Sequence, residues 1–304
     1  MGHHHHHHHQ STRVLIGSLI VTVLFVVVEV VVGFRAHSLA LLSDAGHNFS
    51  DAFALALAAI GIYFQTRPAD HKKTFGYQRA GVLAAFVNAL TLVLLALVLF
   101  YESWVRLKNP EPVAETAMMI VAAVGLVLNL GIVLGLGGHG HDLNIRAAWI
   151  HMLGDAASCV AIIVGAVVIR STGWLAIDPI LSILIGVLMA ASAWGVLRDS
   201  LNILLEGLPK GLRLADVTRD LNSVAGVIDV HDLHIWNLGS EARALSCHVL
   251  IEDMPPSASD SILRQINGLL CDHFEIHHTT IQFEHVRCAL ADVSCTATPH
   301  KHRH

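Results

Sequence analysis

Two identical arrangements of a histidine and an aspartate lie in separate apolar stretches of the chain. His47 and Asp51 are in one stretch, His151 and Asp155 in another, and each pair follows the pattern His-x-x-x-Asp. Residues four apart share one face of an α-helix, so each helix presents an imidazole and a carboxylate in the same direction. Two such helices facing each other would supply two nitrogen and two oxygen ligands, a set that suits tetrahedral zinc.

The charge of this set favours a divalent ion. Two aspartates neutralise Zn²⁺, so the loaded site would be roughly neutral in a medium that disfavours net charge. A buried His–Asp hydrogen bond that joins two helices is the alternative for either pair. The occurrence of the pattern in two separate stretches favours the metal site.

The composition is that of a membrane protein. The 304 residues are 54% hydrophobic and only 14% charged, with a mean hydropathy of +0.58. Soluble globular proteins carry about 25% charged residues. The formal net charge of −5 means that the chain lacks the excess of Lys and Arg typical of nucleic-acid-binding proteins, so nucleic acid is excluded as a partner.

Six stretches are long and apolar enough to cross a bilayer, which takes about 20 helical residues. They are Val14–Val32, Leu39–Phe64, Ala80–Trp104, Met118–Leu136, Ile145–Ile169 and Ile177–Leu197. An even number of spans puts both termini on one side of the bilayer. The small excess of Lys and Arg beside that side places it in the cytoplasm.

The composition changes after residue 206, where a small α+β domain is predicted. The order is helix, strand, strand, helix, strand, over Leu212–Ser223, Val227–Leu238, Ala242–Ile251, Ser257–His273 and Thr279–Val286. We therefore divide the chain into a His-rich N-terminus (1–13), a six-helix transmembrane domain (14–206), a cytoplasmic domain (207–288) and a flexible tail (289–304). The run His3–His9 is either a purification tag or native sequence.

Further metal ligands are predicted in the C-terminal region. His231 lies in the first strand, His248 in the second, and His277 precedes the third, which ends near Glu284. Adjacent strands could bring these residues together, and a solvated polar face is the alternative. His285, Cys288 and Cys295 form a third candidate set, with loose reduced thiols as the alternative. Five cysteines without a CxxC pair do not indicate a disulfide framework.

The motifs together resemble the cation diffusion facilitator family, in its zinc-type branch of bacterial cobalt–zinc–cadmium resistance facilitators and vesicular zinc exporters. The matching segments extend over nearly the whole chain in the family's order. They are Ser43–Asp51, Thr74–Arg79, His151–Asp155, His231–Trp236 and Thr280–Glu284.

The resemblance implies a homodimer with six helices per protomer and a cytoplasmic domain like a metallochaperone. It implies export of divalent metal in exchange for protons by alternating access, in a bacterial inner membrane. His47 favours zinc in this family, with cobalt or cadmium as alternatives, since aspartate at that position is associated with wider selectivity. The resemblance also places a zinc site of the cytoplasmic domain on His231, His248, His277 and Glu284.

Proton exchange also follows from the ligand chemistry, because zinc requires neutral imidazole and ionised carboxylate. The reference pKa of histidine, about 6.5, lies in the range where a proton gradient across the membrane matters. We consider two rivals: a membrane zinc metalloenzyme, and a passive metal channel or sensor. The chain has no His-Glu-x-x-His or nucleophile motif, so an enzyme is not expected.

Overall fold

The computed structural model describes residues 7–135, 143–240 and 242–286. These residues form two compact units. One comprises the described residues between Met1 and Ala58 and between Ala85 and Leu197; the other comprises those between Ala59 and Ala84 and from Arg198 onward.

Six long helices account for the N-terminal two thirds of the chain. They are α1 (His7–Ala36), α2 (Leu39–Gln65), α3 (Ala80–Lys108), α4 (Glu115–Gly135), α5 (Leu143–Thr172) and α6 (Ile177–Leu204). Among the described residues, length and composition alone mark α3, α4, α6 and the Trp149–Thr172 part of α5 as able to cross a membrane. The equally long α2 holds His47, Asp51 and their polar neighbours, which lower its mean hydropathy.

The outward faces of these helices are apolar. Val127, Leu134 and Trp194 are 69%, 79% and 63% exposed, although all three are large hydrophobic side chains. A buried cluster that includes Leu41, Met118 and Ile162 holds the helices together. Apolar surface on both the inside and the outside is the pattern of a helix bundle in lipid, as the sequence predicted.

The N-terminus of α2 is capped by a residue of α6. The carboxylate of Asp178 accepts hydrogen bonds from the backbone N–H of Leu39 at 2.7 Å and of Ala40 at 3.2 Å, and from the hydroxyl of Ser38 at 2.6 Å. An aspartate at this position compensates the unpaired N–H groups and the positive end of the helix dipole. A second link between the two helices joins the hydroxyls of Ser43 and Ser182 at 2.6 Å.

The C-terminal region folds into α7 (Leu214–Asn222), β1 (Val227–Asn237), β2 (Arg243–Ile251), α8 (Pro256–Phe274) and β3 (Ile276–Glu284). The sheet order is β1-β2-β3, with β1 antiparallel and β3 parallel to the central β2. Leu221 of α7 and Ile266 and Leu270 of α8 are fully buried in the core with Leu245 and Val249 of β2. This confirms the predicted α-β-β-α-β order and the fold class.

Candidate metal centres

The helix pair α2 and α5 brings the two His-x-x-x-Asp motifs together. The shortest contacts run between the helices: Nε2 of His47 lies 3.3 Å from Oδ1 of Asp155, and Nε2 of His151 lies 3.1 Å from Oδ2 of Asp51. The contacts within each helix are longer, at 3.8 Å for His47–Asp51 and 3.7 Å for His151–Asp155. Each carboxylate therefore lies between both imidazoles.

These spacings fit one tetrahedral ion. Ligand atoms about 2.0–2.1 Å from a tetrahedral zinc ion lie about 3.3 Å from one another. Ligand atoms of His47, Asp51 and His151 all lie within 4.8 Å of one another, and the centres of the two imidazole rings are 5.7 Å apart. Asp155 is not in that group: its Oδ1 faces His47 and its Oδ2 faces His151. Three of the four predicted side chains therefore converge around one point, and the fourth borders them.

Burial at the centre is uneven. The side chain of Asp155 is only 5% exposed, whereas that of His151 is 41% exposed. A Cβ atom on Gly46 would lie 2.6 Å from Cδ2 of Leu95, so the glycine preceding His47 allows α3 to pack closely there. The centre is therefore packed on one side and open on another.

The strand register builds a second cluster in the C-terminal domain. His231 of β1 is directly opposite His248 of β2, and Glu284 of β3 pairs with Leu250, two residues beyond His248. Nε2 of His231 lies 3.2 Å from Oε2 of Glu284, and Nδ1 of His248 lies 2.9 Å from Oε1. The carboxylate of Glu284 thus faces both imidazoles.

Several buried polar atoms of this cluster lack hydrogen bonds. In the part of the chain that the structure describes, both ring nitrogens of His231 and Oε2 of Glu284 form no hydrogen bond, although Nε2 and Oε2 face each other at 3.2 Å. Unpaired buried polar atoms are costly, and a metal ion bound by His231, His248 and Glu284 would pair them. The donor set of two imidazoles and one carboxylate fits zinc.

Asp232 is a residue of this cluster that the sequence analysis did not assign. Its Oδ2 lies 3.8 Å from Nε2 of His248, and its Oδ1 lies 3.0 Å from Nε2 of His234. A positive φ of 50° at a break in the strand register turns it toward both histidines, and such a conformation is uncommon for a residue other than glycine. A carboxylate beside the second nitrogen of a ligand imidazole orients that ring. In the sequence, the position of Asp232 between His231 and His234 was the signal that could have identified it.

The remaining predicted ligands lie elsewhere. His277 is not part of the cluster of His231, His248 and Glu284, and contacts Sγ of Cys271 at 3.3 Å instead. The reason is strand direction: β3 runs parallel to β2, and His277 lies five residues before Gln282, the partner of His248, or about 16 Å along a strand. His285 is exposed just after β3, and Cys288 and Cys295 lie outside the described residues.

Cys247 is a packing residue. It is 1% exposed in the core of the C-terminal domain, and this burial raises the pKa of its thiol to about 12. A buried thiol with a raised pKa is inert as a nucleophile or metal ligand. Like Cys159 and Cys271, it is a free thiol.

Comparison with known protein families matches both parts of the chain. Residues 15–205 match the cation efflux transmembrane domain, and residues 209–286 match the cytoplasmic domain of cation efflux proteins.

Similar proteins cover nearly the whole chain. The metal cation efflux system protein CzcD of Cupriavidus metallidurans is 40% identical over 96% of this chain and 93% of its own length. The zinc transporter ZitB of Escherichia coli is 41% identical over 93% of this chain and 91% of its own. The cadmium, cobalt and zinc/H(+)-K(+) antiporter of Bacillus subtilis is 39% identical, over 93% and 92%.

Among solved structures, the metal-bound C-terminal domain of the Cupriavidus metallidurans CzcD transporter is 38% identical to this chain. It covers 24% of this chain and 99% of its own, with a TM-score of 0.22. The two family matches and the relatives of about 40% identity lead to one conclusion: the chain belongs to the cation efflux family, and it is a membrane transporter of cations, not an enzyme.

Proposed function

We propose that this transporter exports Zn²⁺ from the cytoplasm in exchange for protons, at a site formed by His47, Asp51, His151 and Asp155. The observation that carries the proposal is the cross-pairing of two imidazoles and two carboxylates from α2 and α5 at 3.1–3.8 Å. The names of the similar ZitB and CzcD proteins, which include zinc and metal cations, support the choice of cargo.

Proton exchange follows from charge balance at these four residues. With both imidazoles protonated and both carboxylates ionised, the empty site is neutral. With both imidazoles neutral and Zn²⁺ bound, the site is neutral again. One zinc ion and two protons are therefore interchangeable without placing net charge in the apolar bundle, where it is costly. Alternating access of the site to the two sides of the membrane converts this competition into antiport.

The orientation that we propose places both termini in the cytoplasm of a bacterial cell, with α1–α6 in the inner membrane. An even number of helices returns the chain to its starting side. The match of residues 209–286 to a cytoplasmic domain supports the assignment of that side.

The C-terminal domain, in this proposal, forms the homodimer and holds a regulatory zinc ion. His231, His248 and Glu284 come from all three strands, so an ion bound there would cross-link the sheet. Asp232, whose Oδ2 lies 3.8 Å from Nε2 of His248, would orient that imidazole when the ion is bound. Zinc binding at this site would then regulate transport according to the zinc concentration in the cytoplasm.

Zinc uptake into inside-out membrane vesicles tests the transport proposal. We expect uptake by the wild type to rise when the vesicle interior is acidified, because protons leaving the vesicle drive zinc inward. Asp51→Ala and Asp155→Ala should abolish uptake while the folded dimer persists. Ile60→Ala is the matched control: this side chain is 52% exposed and lies on the face of α2 opposite Asp51, so the variant should transport normally. A zinc flux that does not depend on the imposed pH gradient would indicate a passive channel and contradict the proposal.

A further inference from the structure

A buried pair of carboxyl groups lies outside the metal centre. Glu29 of α1 is 0% exposed and Asp44 of α2 is 2% exposed, and the two carboxyl groups interact electrostatically. Asn48 donates its Nδ2 hydrogen to Oε2 of Glu29 at 3.1 Å. The other oxygen, Oε1, is buried and has no hydrogen-bond partner among the described residues.

The surroundings of this pair are acidic. Asp155 and Cys159 of α5 face both carboxyl groups, and His47 faces Asp44. The thiol of Cys159 lies 3.9 Å from Oδ2 of Asp44, and Asn129 of α4 donates to that thiol. In the described part of the chain, neither Glu29 nor Asp44 forms an ion pair with lysine or arginine.

Two neighbouring carboxylates that are buried without a cation cannot both be ionised, because repulsion and loss of hydration add together. One of them must carry a proton. A proton on Oε1 of Glu29 would give this orphaned oxygen a hydrogen and would remove one of the two neighbouring negative charges. The missing component of this pair is thus a hydrogen ion.

We propose that Glu29, paired with Asp44, is a proton-carrying site that serves zinc–proton exchange from outside the metal centre. The proposal rests on the transport function proposed above and adds a residue of α1 to it. Asp44 lies one turn before His47 on α2, so a proton released from Glu29 has a short path to the metal centre. Glu29 then takes up another proton from the solution, and the pair returns to its original charge.

Zinc flux through the purified dimer in proteoliposomes tests this assignment under two conditions. In the first condition, a pH gradient drives net zinc uptake. In the second, the pH is equal on both sides, and zinc inside the liposomes exchanges with zinc outside, which requires no net proton movement. For Glu29→Gln and Asp44→Asn, we expect gradient-driven uptake to fall by about a hundredfold, the size of a lost general acid–base group. Zinc–zinc exchange and zinc binding should stay near the wild-type level.

The matched control is Glu102→Gln, the same chemical change at an exposed residue of α3, which should leave both fluxes unchanged. If the pH gradient drives zinc uptake by Glu29→Gln and Asp44→Asn as strongly as it drives uptake by the wild type, the inference is overturned. Loss of zinc binding or of zinc–zinc exchange in both variants would also overturn it, because the pair would then be structural. If the wild type itself does not respond to the gradient, the proposed transport function fails instead.

Discussion

Oδ2 of Asp51 lies 3.1 Å from Nε2 of His151, although the two residues are 100 positions apart in the sequence. This contact is shorter than the contact of Asp51 with His47 on its own helix, which measures 3.8 Å. The centre therefore depends on the packing of α2 against α5 more than on either helix alone.

We expect Asp51→Asn to lower the zinc affinity of the transport site by more than about a hundredfold, beyond the usual effect of losing a residue that only supports a ligand. The amide keeps the size of the side chain but loses the charge that both imidazoles face. Isothermal titration of the detergent-solubilised dimer measures the change. Ser50→Ala, one residue away and bonded to Asn88 instead, should bind zinc normally. Equal affinities for Asp51→Asn and the wild type would remove Asp51 from the centre.

Replacing His47 by aspartate should change metal selectivity. His47→Asp gives a centre with three carboxylates and one imidazole, and oxygen ligands favour harder ions such as Mn²⁺ over zinc. We expect the preference for zinc over manganese to fall by about tenfold, or ~1.4 kcal/mol in relative binding free energy. Competition between the two metals in vesicle uptake measures this ratio. An unchanged ratio would show that His47 does not determine selectivity.

The cytoplasmic cluster predicts different results for two residues of the same strand. Glu284→Ala should remove one zinc ion per protomer, because Glu284 faces both His231 and His248. His277→Ala should leave the zinc content unchanged, since His277 contacts Cys271 instead. Metal analysis of the purified dimer after dialysis distinguishes the two variants. Loss of zinc from His277→Ala would favour the ligand set implied by family resemblance over the observed geometry.

Asp178→Ala should destabilise the bundle. The variant leaves the N–H groups of Leu39 and Ala40 unpaired in a buried place, at a cost of about 2 kcal/mol. We expect a lower midpoint of thermal unfolding in detergent. The control is Asp199→Ala, which removes an exposed pair with Lys210 and should have little effect, as exposed ion pairs contribute little. Equal midpoints for the two variants would contradict the capping role.

Spacing alone predicted which histidines and aspartates of α2 and α5 lie near one another, because residues four apart on a helix share a face. It did not predict that His47 pairs with Asp155 and His151 with Asp51, since the crossing of two helices depends on contacts such as that of Gly46 with Leu95. The strand positions and the family resemblance likewise pointed to Glu284 as a ligand, but they placed His277 in the same site. Periodicity reveals a strand, but it does not reveal whether that strand runs parallel or antiparallel to its neighbour.

The capping of α2 by Asp178 has a consequence for transport. Separation of α2 from α6 at this end would expose unpaired amide groups and a buried carboxylate to an apolar environment, and would break the Ser43–Ser182 contact as well. The two helices are thus joined at this end. In the proposed mechanism, His47 and Asp51 would move together with a helix that supplies no zinc ligand, and the surface along which α2 moves to open the pathway would lie on its other faces.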